Sequence, residues 1–394
     1  MSVIDTRTDE IVDTICAREN EADLFGAQPD AFAFDKPGKN LFVCNGTQNA
    51  VAVFQFKSAG RFLGLFPFSK FRPGEAKLLG LIPAGWFPGG IAFDALDNKI
   101  CVANIKSLPA TMERSKQGAT GLGFNTRQYS GSLSLIPLPS AYELKVFART
   151  ALDDMRYPLL AQAQLPPREN QPAQPVPERA GEPSVFSHVI YIINENRSYD
   201  QVLGDVNEGD CDAGLCTFGE RVTPNEHKIV RNFCLLDNTY CCSVLSADGH
   251  QWADTGIATD YVEREFAGWP RSYPAGGFGE GGEDALAYSP AGFIWNDALA
   301  HGKTVADFGE FITDKKQWKN SARKDEIKFS DAYRDFLNGS NAIAYSCEPD
   351  IEALRPYIVT NTVGWDLDVP DLFRASQFIK DLKKFEAADS FCLA

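Results

Sequence analysis

HVIYIINENRSYDQVLGDV, residues 188 to 206, reads as an apolar strand that stops on polar side chains and turns into a helix. Val189, Ile190, Tyr191, Ile192 and Ile193 form an unbroken apolar run, the pattern of a strand covered on both faces. Ser198 and Gln201 have Ser-x-x-Gln spacing, which predicts a capping box and a helix that begins at Ser198. In open α/β sheets, chemistry gathers beyond the carboxyl ends of the strands. Glu195 and Asn196 fall at that place. Both are oxygen donors suited to a divalent cation such as Ca, Mg, Mn or Zn. A Glu at a strand end is more commonly a solvated surface group.

Outward from this stretch, the second half alternates predicted strands and helices. IVRNFCLLDN (229–238) reads as a strand. SADGHQWADTGIATDYVERE (246–265) reads as a loop entering a helix, with Asp248 and Gln251 at capping-box spacing. WPRSYPAGGFGEGGED (269–284) is a Gly/Pro-rich loop. AGFIWNDALAHG (291–302) reads as a helix closed by Gly302, and TVADFGEF (304–311) as a strand. VPDLFRASQFIKDLKKFEAA (369–388) has the spacing of an amphipathic helix. Strands alternating with helices predict a layered α/β domain over 185–394.

The first 150 residues carry a repeat. GAQPDAFAFDKPGKNLFVCN (26–45) aligns with GWFPGGIAFDALDNKICVAN (85–104). Each has Gly, two variable residues, Pro, a strand through Ala-Phe-Asp, a turn, and a second strand ending in Asn. Shorter alternating pieces begin at Ser2, Asn49 and Gly131. Self-similar short strands with Gly, Pro, Asp and Asn turns predict propeller blades. About two blades are supplied, whereas closed propellers use four to eight. Residues 105–130 read as a surface loop. Residues 151–184 include PPRENQPAQPVPERAGEP and predict an extended linker.

These motifs resemble a known family. ENRSYDQVLGD and SADGHQW are similar to motifs of the phosphoesterase branch of the alkaline phosphatase superfamily, which includes acid phosphatases and phospholipases C. The repeat resembles YVTN-type β-propellers, and the chain as a whole is similar to bacterial proteins that join the two. The resemblance implies a partial β-propeller over 1–150, a linker over 151–184 and an alkaline-phosphatase-like α/β domain over 185–394. It implies a divalent metal at Glu195 and Asn196, Ser246 as nucleophile, and His250 contacting phosphate or orienting a ligand. Gln251 stands where many relatives have Asn. Ser243, Thr255 and Thr259 are alternatives to Ser246, and a Ser at a helix start is most often only a cap. Asp237, Asn238 and Glu310 are expected to support the site. His188, His227 and His301 lack metal-ligand spacing and read as structural.

The family also places Asp and His ligands beyond a helix like 369–388, and this sequence ends at DSFCLA after that helix. The expectation is therefore a chain truncated at both ends with little or no phosphoesterase activity alone. Another copy completing the propeller is an alternative. So is a non-catalytic binding protein with a degenerate phosphoesterase domain. The formal net charge of −15, from 53 acidic and 38 basic residues, argues against nucleic-acid binding and docking on an anionic membrane. A phosphate ester substrate stays compatible, because a bound cation supplies local positive charge. No stretch has the length of a membrane span, and the N-terminus lacks signal-peptide features. The resembled family is usually periplasmic or extracellular, so the address stays open. Cys211 and Cys216 could pair in an oxidising compartment, with free thiols as the alternative.

Overall fold

A computed structural model describes residues 1–19, 26–57, 60–61, 71–72, 75–107, 131–240, 242, 246–264 and 285–388. The chain divides into two compact units. One holds Met1–Ser187, Thr259–Pro274 and Ser289–Ala291, and the other His188–Ala258, Ala275–Tyr288 and Gly292–Ala394. Among the described residues the architecture is mixed: five antiparallel sheets and nine α-helices, with no closed barrel.

The first unit opens with the hairpin β1 (Ser2–Asp5) and β2 (Glu10–Thr14). β3 (Pro29–Phe34), β4 (Asn40–Asn45) and β5 (Ala50–Lys57) follow. A two-residue pairing joins β6 (Gly60–Arg61) to β7 (Phe71–Arg72). β8 (Glu75–Pro83) then completes a four-stranded sheet in the order β3-β4-β5-β8. β9 (Pro88–Asp94), β10 (Lys99–Asn104) and β11 (Ser132–Pro137) form a three-stranded sheet.

The sequence repeat is a repeat of register. Pro29 pairs with Asn45, and Pro88 pairs with Asn104. Each ladder slips by a residue beside that pair. Both asparagines are buried and donate through Nδ2: Asn45 to Ala17 O at 2.6 Å, Asn104 to Ser134 Oγ at 2.9 Å. β4 alternates between two cores. Leu41 and Val43 join one cluster with Ala52 and Leu81, while Phe42 and Cys44 join the other with Val51 and Ile100. Period-2 alternation delivers successive side chains to opposite faces, so β4 is buried on both.

Helix α1 (Ala141–Asp154) was not foreseen; Ser140 caps it, with Glu143 closing the box. It packs on β8, where an added Cβ at Gly80 would stand 3.1 Å from Leu144 and 3.3 Å from Ala148. The outer strand of the sheet is thus covered by a helix rather than left as an open edge. Helix α2 (Tyr157–Ala163) corrects the extended linker expected over 151–184. The Pro-rich remainder is also tied down, with Arg168 bound to Glu182 at 2.7 and 2.9 Å. Backbone pairing adds to this: the Gln174 N–H donates to Pro183 O and the Val185 N–H to Gln174 O, both at 3.1 Å.

In the second unit, Ser198 caps α3 (Tyr199–Leu203), and the Ser198 N–H donates to Gln201 Oε1 at 3.1 Å as the spacing predicts. The buried strand before it is not found. Residues 188–193 belong to no named strand, and Val189, Ile190, Tyr191 and Ile192 are exposed. A strand apolar on both faces is buried only if neighbouring strands build a sheet beneath covering helices. The intended neighbours take other forms. Residues 229–232 belong to helix α4 (Pro224–Asn232), whose start Pro224 favours. Residues 304–311 make turns and isolated bridges at Val305 and Asp307, the latter paired with Ile358. The second unit is therefore mixed helix and sheet, with Ile312–Trp318 and Ile343–Pro349 as its named strands among the described residues.

Helix α5 (Ser246–Thr255) starts at Ser246, ahead of the Asp248 box. Helix α6 (Asp260–Arg264) belongs to the first unit, where buried Glu263 meets Lys106 at 2.5 Å. The second unit continues with α7 (Ile294–Ala300), β12 (Ile312–Trp318), α8 (Phe329–Asn338), β13 (Ile343–Pro349) and α9 (Asp371–Ala388). β12 and β13 pair as an antiparallel hairpin. Phe293, Trp295, Phe311 and Leu354 form the core, with Phe293 stacked on Trp295 at 4.3 Å. The Gly/Pro-rich stretch 269–284 and most of 105–130 lie outside the described residues.

Candidate functional site

Ser246, His250 and Asp254 recur at every fourth position of α5, which places them on one face of the helix. Glu195, just upstream of α3, meets that face. The Ser246 hydroxyl donates to Glu195 Oε1, and His250 Nε2 bonds Glu195 Oε2. On the opposite edge of the imidazole, His250 Nδ1 lies 2.6 Å from Glu310 Oε1. Three segments of chain far apart in sequence therefore converge on one histidine.

Glu310 is held by its own turn. Asp307 Oδ1 accepts the N–H groups of Gly309 at 2.9 Å and Glu310 at 3.0 Å. The Asp307 backbone is clamped from both sides, donating to Tyr357 O at 2.9 Å and accepting from Val359 N–H at 2.8 Å. Phe311, the next residue after Glu310, is 1% exposed in the aromatic core. The turn that presents Glu310 is thus anchored by buried backbone pairing and by a buried ring.

The electrostatics follow from this crowding. Burial works against a charged His250, but hydrogen bonds and charge from Glu195 and Glu310 outweigh it and raise its pKa to about 10. The His250 bond leads the effects that hold Glu195 below the ordinary carboxylate value, with the Ser246 hydroxyl adding to it. Burial, then the charge of Glu310, pushes the Asp254 carboxyl far upward. Burial also raises Asp307 to about 6, against the two N–H donors on its Oδ1. Asp254 is 3% exposed, and its Oδ2 lacks a hydrogen-bond partner, as does Asp307 Oδ2.

A buried carboxylate oxygen without a donor is a position that a cation satisfies. His250, Asp254 and Glu310 each offer one ligand atom, all within 4.8 Å of one another. One nitrogen and carboxylate oxygens suit a divalent ion, so the residues present fit a metal. The Glu195 oxygens already meet Ser246 and His250, and Asn196 Oδ1 accepts from Arg197 at 3.0 Å.

Glu195, Ser246 and His250 are thus brought together. Glu310, expected only to support, touches His250 directly. Asp254 and Asp307 were missed; the four-residue spacing from Ser246 through His250 was a legible signal for Asp254. Asp237 is placed elsewhere, accepting from the Asp210 N–H at 2.9 Å. Gln251 is 1% exposed, with both amide atoms unpartnered.

Of the alternatives to Ser246, Thr255 bonds the carbonyls of Gln251 and Ile257, and Thr259 accepts from the Val262 N–H at 3.4 Å. Ser243 lies outside the described residues. His227 is buried against Asp205 at 2.8 Å. Cys211 and Cys216 are free thiols. No protein-family model, curated protein or solved structure matches this chain.

Proposed function

We propose that this chain hydrolyses phosphate esters through a phosphoserine intermediate at Ser246. The observation that supports the reading most is the Ser246 hydroxyl donating to the carboxylate of Glu195. A serine hydroxyl is a weak nucleophile until a neighbouring base accepts its proton. In this reading Ser246 Oγ bonds to phosphorus as its proton passes to Glu195. The ester oxygen departs with the electrons of the broken P–O bond and takes a proton from water. The hydroxide left by that water then attacks the phosphoserine and releases phosphate, and Glu195 returns its proton to Ser246 Oγ.

His250, carrying a proton on Nε2, keeps Glu195 oriented toward the serine. A divalent cation assigned to Glu195 and Asn196 would supply positive charge to the phosphoryl oxygens and lower the serine pKa. That need is acute here, because the surrounding carboxylates would otherwise repel a phosphate anion.

The test is hydrolysis of p-nitrophenyl phosphate and its bis-ester by the chain, after chelation and with Mg, Ca, Mn or Zn restored. Ser246→Ala and Glu195→Ala should each lower a metal-dependent rate by at least about 100-fold, roughly 2.7 kcal/mol of barrier. Hydrolysis at an unchanged rate in Ser246→Ala would remove the serine from the mechanism.

A further inference from the structure

We infer that the second unit holds a divalent cation between His250 Nδ1, Asp254 and Glu310, separate from the Glu195–Asn196 pair. The sequence suggested only one incomplete ligand set. The fold supplies another because α5 carries His250 and Asp254 one turn apart, while the Asp307 turn delivers Glu310 from elsewhere.

Three observations carry this. The ligand atoms lie within 4.8 Å of one another. Asp254 Oδ2 is buried without a donor. The donor set is one imidazole nitrogen and two carboxylates, the mixture favoured by Zn and Mn rather than by Ca. Ligands about 2.1 Å from a tetrahedral ion stand roughly 3.4 Å apart. His250 Nδ1 and Glu310 Oε1 are 2.6 Å apart, so a carboxylate shift of under about 1 Å admits the ion in place of the Nδ1 proton.

The ion lies on the far edge of the imidazole from Glu195. Metal-bound histidines are oriented by a carboxylate that accepts their other N–H, and Glu195 fills that role through Nε2. The cation therefore does not touch the phosphoryl group. It fixes the tautomer that donates to Glu195, and so the position of the carboxylate that serves Ser246. The binding site stands on its own geometry; only this last consequence rests on the phosphoesterase reading.

The experiment is titration of the chelator-stripped chain with Co2+, read by visible ligand-field absorption and by NMR of ¹⁵N-histidine-labelled protein. The expected result is Co2+ binding that shifts the His250 resonances among the four histidines, in addition to any Co2+ taken by the Glu195–Asn196 pair. Even the partners that only orient metal ligands are worth roughly 10–100-fold in affinity, so Asp254→Asn and Glu310→Gln should each weaken binding more than about 100-fold. Asn196→Ala should leave the Co2+-induced shift of the His250 resonances in place. Circular dichroism confirms that each variant is folded, and Asp254→Asn serves where Asp254→Ala fails to fold. A His250 signal that survives both ligand substitutions, or no Co2+ binding by the folded chain, overturns the site. Ser246→Ala separates the two readings, because it should abolish ester hydrolysis without changing the Co2+ spectrum.

Discussion

His250 Nδ1 lies 2.6 Å from Glu310 Oε1, although sixty residues of chain separate them. The contact ties the helix that bears Ser246 to a turn whose geometry is set by another residue, Asp307.

That dependence predicts the behaviour of Asp307 variants. Asp307→Ala removes the acceptor for the Gly309 and Glu310 N–H groups and lets the turn relax. Co2+ affinity should fall roughly 10–100-fold, the usual cost of losing a group that orients a ligand. Asp307→Asn keeps a carbonyl acceptor and should bind Co2+ nearly as well as the parent. Equal loss in both variants would show that charge at 307, rather than turn geometry, matters.

In the first unit, Lys106 and Glu263 form a buried ion pair at 2.5 Å. Lys106→Met removes the Lys106 charge from buried Glu263, and should cost about 3–5 kcal/mol in chemical denaturation. Lys106→Met combined with Glu263→Leu should recover much of that loss, because two desolvation penalties vanish together. A double variant no more stable than the single would count against the pair being electrostatically costly.

The Asp205–His227 pair predicts an acid dependence. The Glu220 N–H first, and the His227 ring next, hold the Asp205 carboxyl down to about 2. A carboxylate with a depressed folded pKa stabilises above its unfolded value, and that stability is lost as pH falls through the folded value. Asp205→Asn should therefore lower the melting temperature at pH 7. The gap from the parent should close between roughly pH 4 and pH 2. A gap that stays constant over that range would refute the linkage.

The two copies of the repeat differ in one testable respect. A Cβ at Gly85 would stand 2.4 Å from Asn104 Nδ2, whereas nothing lies within 4 Å of one at Gly26. Gly85→Ala should destabilise the chain by about 1–3 kcal/mol through crowding. Gly26→Ala should change stability by no more than about 0.5 kcal/mol, as is usual at open positions. Thermal or urea unfolding of the two variants decides this.

What the sequence determined by itself is local. Its repeat of Gly, Pro and Asn marked two hairpins whose Pro–Asn pairs share one register, because turn residues and period-2 alternation act over a few residues. Ser198 and Gln201 marked the start of α3 for the same reason. Glu195, Ser246 and His250 were legible as reactive types in suggestive places.

Only the tertiary structure decided which long-range partners those residues have. Ile190 and its neighbours have the composition of a buried strand, yet they are exposed, because burial depends on strands supplied by other segments. The helix over 224–232 and the cover that α1 gives to β8 are outcomes of the same competition, which local propensity does not fix. Glu310 and Asp254 became metal-capable only when a helix face and an anchored turn met. Their chemistry resides in distances of a few ångströms between atoms that the chain keeps tens of residues apart.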